Sequence, residues 1–243
     1  MVTPDDARNG KYYLPIYDLQ RGISTRLTDG GSEEEAGWSR DGKRIAYVTG
    51  TGNTFYLYDI PADGSSVPTL LVKGAMMRHI DRSPDDHISF LSIQGLPALS
   101  IYAPANRQLS EIAAPGAEAR FSPDGKWIAY TGSEGIIVQT FPGPGGRIQI
   151  SDGPGSQAVW SRDGKEITYI APDRKLMSVT FDAEKKSASA PRILFQTRIV
   201  GPNFVSHQYD VAPDGRFIIN ILSSTNSAPL TLLNNWEAEL KKQ

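Results

Sequence analysis

One short phrase recurs five times along this chain of 243 residues. Its clearest copies read WSRDGKRIAY from Trp38, FSPDGKWIAY from Phe121 and WSRDGKEITY from Trp160. Two copies are degraded, because one has Asp86 where the others have glycine and the last has Ala212 where the others have serine. A period of roughly 40 residues that contains strands and tight turns predicts a β-propeller, since each repeat can bury its faces only against its neighbours.

Each repeat predicts a sheet of four antiparallel strands. The Asp-Gly pair favours a tight turn, because glycine tolerates positive φ and aspartate hydrogen-bonds its own turn. Apolar and polar residues alternate after the turn, as in residues 44–48, and this period of two is typical of strands. We therefore expect an all-β fold of four-stranded blades, with Trp38, Phe121 and Trp160 packed as wedges between blades.

The two ends of the chain each predict part of a blade. Residues 12–19 and 24–28 resemble two outer strands, whereas residues 209–211, 216–222 and 230–233 resemble inner and middle strands. Joining them would remove free strand edges. The sequence thus predicts one domain over residues 1–243 with about five blades, in which residues 1–30 complete the C-terminal blade and residues 234–243 form a short tail. The alternative is an arc cut from a larger propeller.

Composition and motifs exclude several functions. The net charge of −2 and the lack of a basic stripe argue against nucleic-acid binding. The chain has no cysteine, no long apolar run and no apolar signal core at its start, so we expect no thiolate site, no membrane span and no export signal. It lacks the nucleophile elbow, the HExxH zinc motif and the P-loop. We accordingly predict no catalytic site, no metal and no cofactor, and a monomer.

A polar residue stands six positions before the aspartate of every copy: Glu35, His79, Glu118, Gln157 and Gln208. This position begins the inner strand of each blade, so these side chains should ring one mouth of the central channel. Arg78 and His207 lie next to ring positions in the sequence. Either the ring is ordinary solvated surface, or it is a binding mouth of the kind that propeller loops often form. Both interpretations predict exposed side chains, whose charge reversal should change stability by no more than about 0.5 kcal/mol.

The repeated phrase and the Asp-Gly hairpins resemble the WD-repeat-like propeller repeats of the TolB type, over roughly residues 12 to 236. The last third, with YDVAPDGRF from Tyr209 and LLNNW from Leu232, is similar to the C-terminal propeller of bacterial receptor-like serine/threonine kinases. The resemblance implies a sensing or interaction module of a bacterial signalling or envelope system, located in the periplasm or outside the cytoplasm. It also implies six blades as the common number.

The leading functional hypothesis is a non-enzymatic scaffold that binds a protein or small ligand at the mouth, through the five ring residues together with Arg78 and His207. The alternative is a propeller lyase or hydrolase acting on a glycan or peptide, with His79 or His207 as base and Glu35 or Glu118 as acid. These groups would then have to converge within about 7 Å on one substrate. The same four side chains also offer nitrogen and oxygen ligands for a divalent cation. A remnant that binds nothing is a third possibility.

Overall fold

The computed structural model describes residues 3–6, 11–18, 20–29, 31–143, 145–201, 207–212, 214–221 and 231–233. The chain divides into two compact units, Met1–Pro115 and Gly116–Gln243. Every helix or strand in the described ranges is a β-strand, which confirms the all-β prediction. No helix long and apolar enough to cross a membrane occurs in those ranges. The tail predicted at residues 234–243 lies outside them.

The first unit contains two hairpins and two four-stranded sheets, all antiparallel. The hairpins are β1 (Thr3–Asp6) with β2 (Lys11–Tyr13), and β3 (Pro15–Asp18) with β4 (Ile23–Arg26). Sheet 1 consists of β5 (Glu33–Trp38), β6 (Arg44–Thr51), β7 (Thr54–Pro61) and β8 (Thr69–Gly74). Sheet 2 consists of β9 (Met76–Arg82), β10 (Ile88–Ile93), β11 (Pro97–Ala103) and β12 (Gln108–Ala113).

The second unit repeats the pattern. Sheet 3 consists of β13 (Ala117–Phe121), β14 (Trp127–Thr131), β15 (Ile136–Thr140) and β16 (Arg147–Gln149). Sheet 4 consists of β17 (Ser156–Trp160), β18 (Glu166–Ile170), β19 (Lys175–Asp182), the short β20 (Ser187–Ala188) and β21 (Arg192–Gln196). Sheet 5 consists of β22 (Tyr209–Val211), β23 (Phe217–Ile219) and β24 (Thr231–Leu233). The closure of one domain by residues 1–30 and the blade number remain predictions.

The repeated phrase forms the turn between the first and second strands of a sheet. In sheet 3 the Ser122 hydroxyl donates to Asp124 Oδ1 over 2.6 Å and accepts from the Trp127 amide over 3.0 Å. Asp124 Oδ1 also accepts from the Lys126 amide at 3.1 Å, and Gly125 has a φ of 70°. Sheets 1 and 4 repeat these bonds at their own serine and aspartate. The serine, aspartate and glycine of the phrase therefore each have a defined structural role.

The degraded copy in sheet 2 compensates for its missing glycine. Asp86 adopts a φ of 71°, a conformation that costs an ordinary residue about 1–2 kcal/mol. Its carboxylate accepts from Nε of the buried Arg82 at 3.0 Å. Arg82 also donates to Asp59 at 2.9 Å, and Asp59 pairs in turn with Arg44. Aspartate at this position therefore supplies a partner for a buried guanidinium between sheets 1 and 2.

Aromatic side chains pack between sheets 3 and 4, as predicted for the wedge position. Trp160 is buried, and its indole donates to the Arg120 carbonyl of sheet 3 at 3.0 Å. Phe121 is also buried, but its ring contacts that of Phe141 beside β15 of the same sheet, so its role as a wedge between sheets stays a prediction. Trp127 and Trp160 both meet the ring of Phe181 edge to face. The wedge prediction is wrong for Trp38, which is 51% exposed. Ile16 of β3 and the flanking Leu14 and Leu27 pack against the cluster formed by the second and third strands of sheet 1, and Trp38 does not belong to that cluster.

Candidate functional site

The ring residues all stand near the start of the first strand of their sheet. The register places each first strand antiparallel to the second, with the start of one beside the end of the other: Glu33 with Thr49, Met76 with Ile93, Ala117 with Thr131 and Ser156 with Ile170. The turn between the second and third strands therefore lies at the same end. We call this the start end of a sheet, and the opposite end, which carries the Asp-Gly turn, the turn end.

Three ring residues have a left-handed backbone, with φ of 57° at His79, 53° at Glu118 and 58° at Gln157. Each lies where the pairing register of its first strand shifts, as at a β-bulge. Such bulges re-aim a side chain relative to the strand. Because non-glycine residues resist this conformation by about 1–2 kcal/mol, we infer that their side chains offset the cost.

Those side chains point into the protein. Exposure is 2% for His79, 0% for Glu118 and Gln157 and 4% for Gln208, while Glu35 is partly exposed. The prediction of solvated ring side chains is thus wrong for these four residues. The recurrence of a polar residue in the sequence predicted the position, but it could not predict the bulges that turn His79, Glu118 and Gln157 inward. Their involvement in binding stays a proposal.

In the second unit the ring side chains join consecutive sheets. Glu118 Oε2 accepts from the Gln157 amide at 3.0 Å, and Gln157 Oε1 accepts from the Gln208 amide at 2.7 Å. Gln157 also donates from Nε2 to Gln208 Oε1 at 3.2 Å, and Gln208 donates to the Val200 carbonyl at 2.9 Å. This polar chain runs from sheet 3 through sheet 4 to sheet 5. The Glu118–Gln157 and Gln157–Gln208 links each connect a side chain to the backbone amide of the equivalent residue one repeat later.

The first unit contains the same link between sheets 1 and 2. Glu35 Oε2 accepts from the His79 amide, and Glu35 Oε1 lies 3.8 Å from Nη1 of Arg78. Arg78 Nη2 also pairs with Glu34 Oε2 at 2.6 Å. Arg78 is about three-quarters buried. Two acids of the preceding sheet, Glu34 and Glu35, partly neutralise its charge. His207, the remaining predicted residue, is partly exposed.

Glu118 is a buried acid whose pKa is raised. Burial raises the pKa of its carboxyl, although the bonds from the Gln157 amide and from the Thr131 hydroxyl, at 2.8 Å, oppose the shift. Its Oε1 is buried without a hydrogen-bond partner among the described residues. Within the same residues, no group of three or more His, Asp or Glu side chains could hold a metal ion.

The start end of sheet 2 also exposes apolar surface. Leu96 is 76% exposed in the turn between β10 and β11, and Met76 at the start of β9 is 38% exposed. Gln94 in the same turn is exposed, and the partly buried Arg78 follows on the same strand as Met76. Leu96 was not among the site residues predicted from the sequence. The signal that could have found it is an apolar residue between Gly95 and Pro97, where turns usually carry polar groups.

No protein-family model and no curated protein matches the chain. Among solved structures, TolB from Acinetobacter baumannii is similar with a TM-score of 0.72 and 20% identity, over 92% of this chain and 57% of that one. A putative TolB from Agrobacterium tumefaciens is similar with a TM-score of 0.65 and 17% identity, over 85% of this chain and 80% of that one. An oligogalacturonate lyase in complex with manganese has a TM-score of 0.62 and 12% identity, over 98% of this chain and 77% of that one.

This chain therefore spans less than two thirds of the Acinetobacter baumannii TolB chain. Identities this low establish a fold and leave function open, since one propeller architecture serves both binding proteins and enzymes. The similar structures confirm the predicted fold class: the protein is an all-β, TolB-like β-propeller with four-stranded antiparallel blades.

Proposed function

We propose that this protein is a non-enzymatic binding propeller, which engages a protein or small ligand at the start ends of its sheets. The polar chain holds the strand starts in place, and the loops beside them make the contacts. The predicted site residues divide accordingly. Glu35, His79, Glu118, Gln157 and Gln208 position the backbone, whereas Arg78 and His207 lie closer to the surface.

The observation that carries this proposal is the exposed apolar pair Leu96 and Met76 at the start end of sheet 2. Exposed apolar side chains rimmed by charged ones are typical of interaction surfaces. Arg78 and Glu34 supply such a rim, since both remain partly exposed near the start ends of sheets 1 and 2. A partner with an apolar anchor and a few polar groups fits this surface.

The enzymatic alternative finds less support in the geometry. A general acid or base must touch its substrate, but His79 and Glu118 are at most 2% exposed and Glu35 bonds the His79 amide. The feature that favours an enzyme is the raised pKa of Glu118, because perturbed acids cluster at active sites. The bonds of Glu118 to the backbone and to Thr131 account for that carboxylate structurally.

Cellular context belongs to the proposal as well. The resemblance to propellers of receptor-like kinases favours a sensor or interaction module of bacterial signalling, acting as a monomer outside the cytoplasm. The similarity to TolB structures supports the fold on which this context depends.

Site-specific photo-crosslinking tests the binding surface. The chain has no cysteine, so Leu96→Cys can carry a single benzophenone label at the start end of sheet 2. Val67→Cys is the matched control, because Val67 is an equally exposed apolar residue, 83% exposed, between β7 and β8 at the turn end of sheet 1. Labelled proteins are irradiated in an envelope extract of the source organism.

The proposal predicts a defined adduct from position 96, lost when Arg78→Ala is added, and none from position 67. Adducts from position 67 alone, or equal labelling from both positions, would contradict it.

A further inference from the structure

A cavity lies between sheets 4 and 5, and the side chains at this interface differ from those that pack between sheets 3 and 4. The difference begins at the residue whose amide donates to the serine of each turn, five positions after that serine. In sheet 3 this residue is Trp127, and in sheet 4 it is Glu166. Trp127 packs toward sheet 4, where its ring lies 5.0 Å from that of Phe181. A carboxylate therefore stands where the preceding interface has an indole.

The opposite wall changes in the same way. Trp160 precedes the serine of sheet 4 and closes the interface with sheet 3 through its bond to the Arg120 carbonyl. Val211 occupies the equivalent place before Ala212 in sheet 5. Two indoles that fill one interface are thus replaced in the next by a carboxylate and a small aliphatic group.

The result is a cavity of about 260 Å³, lined by Ser161, Glu166, Thr168, Leu194, Val211, Asp214, Gly215 and Phe217. An apolar cavity of about 150 Å³ is enough to hold benzene. This cavity therefore has room for a bicyclic ring. Phe217 and Leu194 are buried and supply an apolar surface for such a ring.

The polar groups favour a ligand that donates a hydrogen bond. Glu166 Oε1 is bonded to Arg192 at 2.7 Å and to the Ser178 hydroxyl. Glu166 Oε2 has no bond to another described residue, so it is available as an acceptor. The Arg192 pairing neutralises the carboxylate, which removes the need for a cationic ligand.

We propose that this cavity binds a neutral bicyclic aromatic molecule that carries an N–H donor, of which indole is the simplest example. The ring replaces the missing indoles between the sheets and stacks near Phe217. Its N–H donates to Glu166 Oε2. This small-molecule site is separate from the proposed interaction surface at the start ends.

Indole itself is the probe. We expect saturable binding to the wild-type chain by ligand-observed NMR, a rise in unfolding temperature with indole, and weaker binding of naphthalene, which lacks the donor. Glu166→Trp restores the side chain found at the equivalent position of sheet 3. It should raise the unfolding temperature without indole and weaken indole binding by about tenfold or more.

Three further variants make the outcome decisive. Val211→Phe fills the cavity from the other wall and should also weaken binding, even if Glu166→Trp does not fold. Glu166→Gln keeps its single acceptor oxygen bonded to Arg192 and Ser178 and turns an amide NH2 group toward the ligand, so it should weaken the binding of indole. Glu184→Trp adds an indole to an exposed turn of sheet 4 and should leave affinity unchanged. The proposal is overturned if wild type shows no saturable binding, or if indole affinity survives in both cavity-filling variants.

Discussion

Replacing Gln157 by leucine should destabilise the protein by about 2–4 kcal/mol. The side chain is fully buried, and leucine matches it approximately in size. The substitution leaves the Gln208 amide and the Gln208 side-chain oxygen without the partners they now have at 2.7 and 3.2 Å. A buried polar group that loses its partner costs about 1–3 kcal/mol. The gain from a more apolar side chain offsets part of the combined loss.

Urea unfolding at neutral pH, followed by tryptophan fluorescence, measures this change. Gln108→Leu is the matched control, since Gln108 is exposed on β12 and should change stability by no more than about 0.5 kcal/mol. A loss below about 1 kcal/mol for Gln157→Leu would refute the reasoning, because it would mean that the polar chain contributes no more than a surface contact. The sequence-based expectation of solvated ring residues predicts that small value.

Three further changes test other parts of the structure. Because the pKa of Glu118 is raised on folding, its contribution to stability is present below the unfolded pKa of 4.5 and is lost as the pH rises through the folded pKa. Glu118→Gln does not titrate. It should therefore be more stable than the wild type at neutral pH, and its stability should depend less on pH. Ala212→Ser should stabilise the turn of sheet 5 by about 1 kcal/mol, because its hydroxyl can bond Asp214 as in the other repeats. Asp86→Gly should destabilise by about 1 kcal/mol although it relieves positive φ, since a charged hydrogen bond to the buried Arg82 contributes more than the strain costs.

Each of these has a simple measurement. Urea midpoints between pH 4 and 8 distinguish Glu118→Gln from wild type, and parallel profiles would show that Glu118 titrates normally. For the turn, Ser122→Ala is the reciprocal change, and it should lower the free energy of unfolding by about as much as Ala212→Ser raises it. If both variants changed stability in the same direction, the role assigned to the serine hydroxyl would be wrong. For the second repeat, Asp86→Asn keeps a hydrogen-bond acceptor but not the charge. Its free energy of unfolding should therefore lie between those of the wild type and Asp86→Gly.

The repeat period was sufficient to predict the four-stranded sheets and the turns, because the phrase itself encodes the bonds among serine, aspartate and glycine. Ser122, Asp124 and Gly125 behave as their residue types predict. The orientation of the ring residues was not predictable in the same way. A polar residue at a strand start is ordinarily solvated, and only the left-handed bulge at Glu118 and Gln157 turns these side chains toward the next sheet.

The cavity between sheets 4 and 5 could not be predicted from the sequence pattern either. Glu166 and Val211 are unremarkable residues in isolation, and both fit a strand. They indicate a cavity only when they are compared with Trp127 and Trp160, which fill the equivalent positions of the preceding interface. Apolar Leu96 in an otherwise ordinary turn likewise became informative only through its exposure.

Amide hydrogen exchange at Gln157 tests most directly the claim that ring side chains join consecutive sheets. In the wild type this amide donates to the Glu118 carboxylate in the protein interior, and we expect it to exchange as slowly as the amides of the surrounding strands. In Glu118→Ala the Gln157 amide should lose its protection while the amide of Gln208, which is bonded to Gln157, keeps most of its own. Rapid exchange of Gln157 in the wild type, or unchanged protection in Glu118→Ala, would contradict the account.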